Sequence, residues 1–143
     1  MAGNKNEPDK PMFDPDSWGL TKQQTDLTAL ARKLGQEKFA GRAEKWDREA
    51  IFPMANYKDL HKSGLLGICI PKKYKGLGAD QKTYALTAAE IGRYCGATAL
   101  TWNMHVASCL WTGSLADELP MSREQRKNHN RRRGIHYERI LKK

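Results

Sequence analysis

The sequence contains no long hydrophobic run. No stretch of about 18 apolar residues occurs, so we expect no helix that spans a membrane. The N-terminal stretch MAGNKNEPDKPMFDPDSWG lacks the apolar segment that a secretory signal requires. These two absences predict a cytoplasmic protein that is not inserted into a membrane.

Cysteine is scarce, and its spacing excludes the common cysteine-based sites. The three cysteines, Cys69, Cys95 and Cys109, form no CxxC or CxxH pair. An odd number without metal-ligand spacing predicts buried thiols in a reducing compartment rather than a disulfide framework. The four histidines also lack the spacing of a zinc site, so we expect no metal.

Alternating strand patterns and internal repeats are missing as well. Apolar residues recur at helical spacing instead, which predicts an all-α, up-and-down helical bundle. With 143 residues, of which 39% are hydrophobic and 29% charged, the chain has the size and composition of one folded domain. Residues 1–20 hold three of the six prolines and are predicted to form an extended or flexible arm ahead of a helical domain at 21–143.

Thr21 and Gln24 form a capping-box pattern, which predicts a helix that begins at Lys22. This helix is expected to run to about Glu49 and to carry two apolar stripes. The stripes are out of phase by about one residue near Lys38, so we expect a gentle bend or a rolled contact face there. The first stripe is Leu27, Leu30, Ala31 and Leu34, and the second is Phe39, Ala43, Trp46 and Ala50.

Capping and breaking residues delimit the other helices. Asn56 is expected to cap a short helix that stops at Gly64, and Asp80 to cap a longer one that Gly96 interrupts. The elements predicted in this way are helices 57–62, 81–94 and 97–111, a loop at 113–120, and a last helix that begins at Met121 or Ser122.

Helix 97–111 is apolar on every side, since Trp102 and Val106 lie opposite Leu100 and Met104. A helix of this kind is usually buried, so we expect it to pack within the domain or against a further partner. The loop before the helix pair, GLLGICIPKKYKGLG at 64–78, is also apolar and closes on two glycines. Its glycines are expected to turn the chain, because it lacks the third glycine of a phosphate-binding fingerprint.

The net charge of +9 is concentrated near the C-terminal end. Residues 122–143 hold nine Lys and Arg but two acids, and include Arg131, Arg132 and Arg133. Such a cluster could neutralise phosphates of nucleic acid or of coenzyme A. We favour a charged helix face exposed to solvent, and keep a basic helical nucleic-acid-binding module as an alternative.

Three segments carry a resemblance to a known family. They are Phe52-Pro53 at the end of the long first helix, HKSGLLG at 61–67 and IPKKYKGLG at 70–78, followed by a helix pair with His105 on its second member. In this order, and over about residues 22–143, they resemble the N-terminal helical domain of the acyl-CoA dehydrogenase family. Lys75 departs from the pattern, because it stands where the family usually has glycine.

The resemblance implies a part of an FAD-dependent enzyme that α,β-dehydrogenates acyl-CoA. In that reaction a carboxylate takes the α proton and the flavin takes a hydride from the β carbon. The family's β-barrel domain and C-terminal helical domain, which hold most of the flavin and usually the catalytic Glu, do not correspond to any residues here. We therefore expect a truncated chain with no catalytic residue, no bound FAD and no activity alone. A related flavin-dependent monooxygenase would share this domain and is the alternative.

The resemblance also places one wall of the acyl pocket on helix 97–111, and ordinary bundle core is the competing interpretation. His105 is expected to be structural, because no partner is spaced for a catalytic triad. The expected partners are acyl-CoA, the two other domains, and further copies of the chain, which would associate through the exposed helix face and the apolar loop. The residues expected to line the acyl pocket are Ala99, Leu100, Asn103, Met104 and Ala107.

Overall fold

A computed structural model describes residues 10–142 and shows an all-α architecture. Within that range there is no strand, which confirms the predicted fold class. The helices are α1 (Lys22–Leu34), α2 (Ala40–Arg48), α3 (Met54–Lys62), α4 (Gln81–Gly92), α5 (Gly96–Leu110) and α6 (Arg123–Leu141).

The first long helix begins with the predicted capping box. The Thr21 hydroxyl accepts a hydrogen bond from the Gln24 amide, and the Gln24 side chain accepts one from the Thr21 amide. A π-helical turn, Gly35–Phe39, then joins α1 to α2. Leu34 and Phe39 are five residues apart and both buried, so this wider turn absorbs the phase offset between the two stripes. The helix therefore has an inserted residue near Lys38, and the bend or rolled contact face expected there stays a prediction.

The end of the second stripe was predicted wrongly. Helix α2 stops at Arg48, and Ala50 lies beyond it, exposed and at a φ of 50°. The following helix begins at Met54, three residues earlier than expected, because Pro53 already supplies a compatible φ and lacks an N–H that would need a partner. Asn56 consequently lies inside α3 and does not cap it.

Asn56 instead joins α2, α3 and α5 through a buried polar contact. Its side-chain nitrogen donates to the Thr98 hydroxyl at 2.9 Å, and its oxygen accepts from Arg42 at 3.0 Å. Burying a polar side chain is tolerated when its hydrogen bonds are made, as they are here.

The loop at 64–78 folds back on itself and buries its apolar side chains. Leu65, Ile68 and Ile70 are fully buried, so the expectation that this loop would be partly exposed was wrong for them. The Gly78 amide donates to the Ile70 carbonyl at 2.9 Å, which closes the loop. A Cβ at Gly76 would lie 2.1 Å from the same oxygen, so no larger residue fits there.

Helices α4 and α5 form an antiparallel hairpin at the centre of the bundle. Asp80 caps α4 as predicted, since its carboxylate accepts from the Thr83 amide at 2.7 Å. The break between the helices falls at 93–95, and Gly96 is the first residue of α5 rather than the interruption. Trp102 anchors the inner side of α5, fully buried, with its ring N–H donating to the Leu65 carbonyl at 3.1 Å.

The end of α5 is more helical than predicted. A π-helical turn, Trp111–Leu115, follows α5 with a kink at Gly113, and helical structure continues to Asp117. The loop expected at 113–120 is therefore reduced to its second half. Ser122 then caps α6 in a capping box with Gln125, so the helix begins at Arg123, one residue after the later of the two predicted starts.

Residues 10–20 lie against α4. The Met12 amide donates to the buried carboxylate of Glu90 at 2.9 Å, and Arg93 donates to the Lys10 carbonyl at 3.0 Å. The first nine residues of the predicted arm lie outside the described residues, as does Lys143. The boundary between arm and domain at residue 20 stays a prediction.

Candidate functional site

One side of α5 remains uncovered in this bundle. Leu100, Met104 and Trp111 are 66%, 69% and 68% exposed, although the opposite side of the same helix is buried. The prediction that α5 is buried all round therefore holds for its inner side alone. We call the uncovered side the α5 outer face, and it consists of Leu100, Asn103, Met104, Ala107 and Trp111.

The structure brings the five predicted pocket residues onto adjoining rows of α5. Leu100 and Met104 form the outward row, and Ala99, Asn103 and Ala107 form the row beside α4. Ala99 is half-buried at the edge of the face, and a Cβ added at Gly92 of α4 would lie 3.7 Å from the Ala99 Cβ. The helical geometry thus gives a continuous apolar surface with one amide on it.

The amide of Asn103 is held by a tyrosine of the neighbouring helix. The Tyr84 hydroxyl donates to the Asn103 side-chain oxygen, and the Tyr84 ring packs against Trp102 at 5.7 Å between centroids. Burial raises the pKa of Tyr84, and a smaller contribution from Cys69 acts in the same direction. Tyr84 uses one of the two lone pairs of the Asn103 oxygen, and the exposed NH₂ group remains available as a donor to a ligand.

A small cleft of about 210 Å³ lies at one end of the α5 outer face. Sequence reasoning named Ala107 there but missed its other walls. Tyr84 could have been placed opposite Asn103, because both lie about equally far from the turn between α4 and α5. The residues lining this cleft are Gln81, Tyr84, Ala107, Leu110, Trp111, Ser114 and Leu115.

His105 points away from the α5 outer face. Its Nε2 lies 3.0 Å from the Leu66 carbonyl, and its ring meets Tyr57 edge-on. The carbonyl can only accept, so Nε2 carries the proton in this contact. Burial lowers the pKa of His105, which favours the neutral ring. The contact fastens α5 to the turn after α3, and this role is structural.

Part of the basic C-terminal helix is used to hold the kinked end of α5. Arg133 is buried and donates to the Asp117 carboxylate at 2.7 Å and to the Thr112 carbonyl at 3.2 Å. Arg126 donates to the Ala116 carbonyl at 2.9 Å. The expectation of a solvent-exposed arginine triplet is therefore wrong for Arg133, which shares the Thr112 carbonyl with His129 at the end of α5.

The described residues also bear on the sequence expectations about thiols, metal sites and membrane-spanning helices. Cys69, Cys95 and Cys109 are free and buried, and burial raises the pKa of Cys69 to about 12. Residues 10–142 contain no group of three or more His, Cys, Asp or Glu placed to hold a metal ion. None of the helices described is long and apolar enough to cross a membrane.

Comparison with known proteins gives a consistent result. The family model for "Acyl-CoA dehydrogenase, N-terminal domain" matches residues 21–116. The probable acyl-CoA dehydrogenase YngJ of Bacillus subtilis is 36% identical over 83 residues, which cover 58% of this chain and 22% of that protein.

Two further relatives show the same partial coverage. The acryloyl-CoA reductase (NADH) of Anaerotignum propionicum is 35% identical over 89 residues, which cover 62% of this chain and 23% of that protein. The mitochondrial short-chain specific acyl-CoA dehydrogenase of Mus musculus is 30% identical over 89 residues, which cover 62% of this chain and 21% of that protein. The match thus spans less than a quarter of each relative's length. The family match covers more than half of this chain, which therefore belongs to the acyl-CoA dehydrogenase family through its N-terminal domain.

Proposed function

We propose that the α5 outer face forms one wall of the acyl pocket in an FAD-dependent acyl-CoA dehydrogenase. The flavin and the carboxylate that takes the α proton would come from other parts of the assembled enzyme. The chain alone is therefore expected to be inactive. Residues 21–143 would position the acyl group and provide contacts between domains, in the cytoplasm.

The exposed apolar surface of α5 is the observation that carries this proposal. Leu100 and Met104 lie side by side on one turn of the helix and are largely exposed. Ala99 and Ala107 beside them are small, so an alkyl chain can approach the helix between the larger side chains. An acyl chain laid along this surface removes apolar area from water, at about 25 cal/mol per Å².

The same surface fits one side of a flavin-containing pocket but does not fit the whole cofactor. FAD would supply the hydride acceptor when bound. Its diphosphate needs cations or backbone N–H groups. The residues lining the cleft beside α5 include no cationic side chain. Other parts of the enzyme would have to hold the phosphates.

Photo-cross-linking of the full chain tests the proposed acyl wall. The probe is an acyl-CoA with a diazirine at the end of its acyl chain, and the labelled peptides are mapped by mass spectrometry. We expect the label on the α5 outer face and expect unlabelled acyl-CoA to compete. Labelling confined to α6 would show that the coenzyme A phosphates alone direct binding, and would contradict the proposal.

A double substitution on the α5 outer face is compared with a single substitution elsewhere on the surface. Leu100→Glu with Met104→Glu should lower labelling by at least roughly ten-fold, because it removes two large apolar contacts from the wall. Ile135→Glu alters an exposed apolar residue on α6 and should leave labelling of α5 unchanged. Equal losses in both variants would point to a general change in charge.

The visible absorption spectrum tests the part of the proposal that concerns the flavin. The purified chain is incubated with FAD and then desalted, after which it should show no flavin bands. Bands that survive desalting would mean that these residues hold the cofactor alone, and would refute the proposal that other parts of the enzyme hold the flavin.

A further inference from the structure

The outer side of α6 carries a row of cations that the fold does not use. Arg123, Lys127 and Arg131 follow one another at intervals of four residues, and Arg132 adjoins them. All four are exposed, and no acidic side chain among residues 10–142 lies within ion-pair distance of any of them. We call these four residues the α6 cation row.

This arrangement is unfavourable for the isolated helix. Like charges four residues apart on a helix repel each other, and the row contains two such pairs, Arg123 with Lys127 and Lys127 with Arg131. Elsewhere the chain places opposite charges at this spacing, as in Lys22 with Asp26 and Arg48 with Glu44. A local arrangement that costs stability without a compensating contact is expected where a surface has another role.

Other cations of α6 show what a structural role looks like in this helix. Arg126 and Arg133 turn inward and bind carbonyls and Asp117 at the end of α5. The α6 cation row makes none of these contacts. Glu124 is the one acid between residues 122 and 132, so this part of the surface is strongly positive.

A groove with one apolar and one polar wall runs beside the row. It has a volume of about 600 Å³ and lies between α6 and the segment that precedes it. Leu119 is 56% exposed and Met121 half-buried on one wall, and Asn128 and Arg132 of α6 form the other. An apolar side chain from a partner can enter this groove while acidic side chains meet the cations beside it.

We propose that the α6 cation row and the adjoining groove bind an acidic protein segment that carries an apolar anchor. Glu or Asp residues spaced four apart on a partner helix match the spacing of Arg123, Lys127 and Arg131. A protein partner fits better than nucleic acid, because Leu119 and Met121 line the groove beside the cations, and a phosphate backbone has no apolar side chain to place against them.

Fluorescence anisotropy with the full chain tests this surface. The probe is a fluorescein-labelled helical peptide about 18 residues long, with Glu at every fourth position and Leu beside the Glu residues. Three comparison probes are used. One peptide has Gln in place of Glu, a second has Ala in place of Leu, and the third probe is a labelled DNA duplex of similar charge. We expect the acidic peptide with Leu to bind most tightly and to weaken as salt increases.

Charge-reversal variants distinguish binding at the α6 cation row from a general effect of net charge. The variant R123E/K127E/R131E should weaken peptide binding by at least roughly ten-fold, since three attractive contacts become repulsive. The control K33E/K58E/K62E makes the same change in net charge at exposed lysines of α1 and α3 and should weaken it far less. Circular dichroism checks that both variants remain folded.

Several outcomes would overturn the proposal. Equal losses in the two triple variants would reduce the effect to net charge. Tighter binding of the duplex than of the peptide would assign the surface to nucleic acid. Equal binding of the Leu and Ala peptides, or an unchanged affinity in L119S, would remove the groove from the site. Absence of peptide binding at low salt would reject the surface altogether.

Discussion

Lys75 shows how a single residue can depart from a loop's usual chemistry without changing the loop. Its φ of 68° lies in the left-handed region that favours glycine, and its amide donates to the Lys72 carbonyl at 2.8 Å. The next residue, Gly76, approaches the Ile70 carbonyl too closely for any Cβ. The chain therefore keeps the turn and accepts strain at Lys75, because the buried Ile70 fixes the loop.

This strain predicts that Lys75→Gly stabilises the protein. Removing the Cβ relieves roughly 1–2 kcal/mol of left-handed strain. The greater freedom of glycine in the unfolded chain offsets about 0.4–1 kcal/mol of that gain. We expect a net increase of roughly 0.5–1 kcal/mol in the free energy of unfolding, measured by urea titration with tryptophan fluorescence. Lys73→Gly, in the same turn but at a residue without positive φ, should lower stability instead.

His105 predicts a pH dependence of stability. Burial lowers the pKa of its folded form below the ordinary value of 6.5. Below that value the unfolded chain binds the proton more readily than the folded one, so stability falls as the pH drops from 6.5 toward the folded pKa. His105→Gln keeps a donor for the Leu66 carbonyl but cannot titrate.

The measurement is the urea midpoint of both proteins between pH 7.5 and about 5, where histidine is the side chain that normally titrates. The wild-type protein should lose more stability than His105→Gln on acidification. Parallel curves for the two proteins would show that His105 titrates alike in the folded and unfolded states.

At the scale of the helices, buried polar contacts decide which segments are joined. Asp59 of α3 receives bonds from Lys38 and Arg42, both at 2.8 Å, and so ties α3 to the long first helix. Burial would raise the pKa of Asp59, but these bonds outweigh it and the pKa is lowered. Arg133 likewise joins α6 to the kinked end of α5 through its bonds to Asp117 and Thr112. Each contact satisfies a charge that the surrounding helices partly exclude from water.

The α6 cation row predicts a substitution that strengthens the helix. Lys127→Glu turns two repulsive pairs into attractive ones but creates one repulsive pair with Glu124, three residues before it. We therefore expect the free energy of unfolding to rise by about 0.5–1 kcal/mol at low salt. Thermal unfolding followed by circular dichroism measures the change. Lys127→Gln should give about half of it, and high salt should remove most of it. A loss of stability would show that Lys127 makes a favourable contact in the native state.

At the scale of the whole molecule, one side of α5 remains uncovered by the other helices. Large contiguous apolar patches are uncommon on monomers and usually mark interaction sites. Leu100, Met104 and Trp111 lie on one side of one helix, and Leu115 continues the surface past the kink. The bundle buries the other side of α5 completely, so exposure here is confined to a single face.

This surface predicts self-association of the isolated chain. Sedimentation velocity should show a concentration-dependent shift toward larger species, because association would remove the α5 outer face from water. Leu100→Glu with Met104→Glu should shift the chain toward the monomer, whereas Ile135→Glu should not. A wild-type chain that stays monomeric at high concentration and does not bind a hydrophobic dye would contradict the prediction.

Local patterns in the sequence determined the helices and most of their caps. Thr21 with Gln24, and Asp80, act through residues three positions away, so their effect could be inferred from the sequence. The apolar stripes also located the phase offset near Lys38, although they did not specify how it would be absorbed. The resemblance in the 64–78 loop indicated the family, which the family comparison then confirmed.

Tertiary structure alone decided what each helix face meets. The composition of α5 is apolar throughout, and the packing of α2, α3, α4, α6 and the loop determines which side is covered. The burial of Arg133 likewise depends on Asp117 and Thr112, which reach it because the chain kinks at Gly113. A sequence pattern reports spacing along one element, whereas burial and pairing depend on which distant elements fold against it.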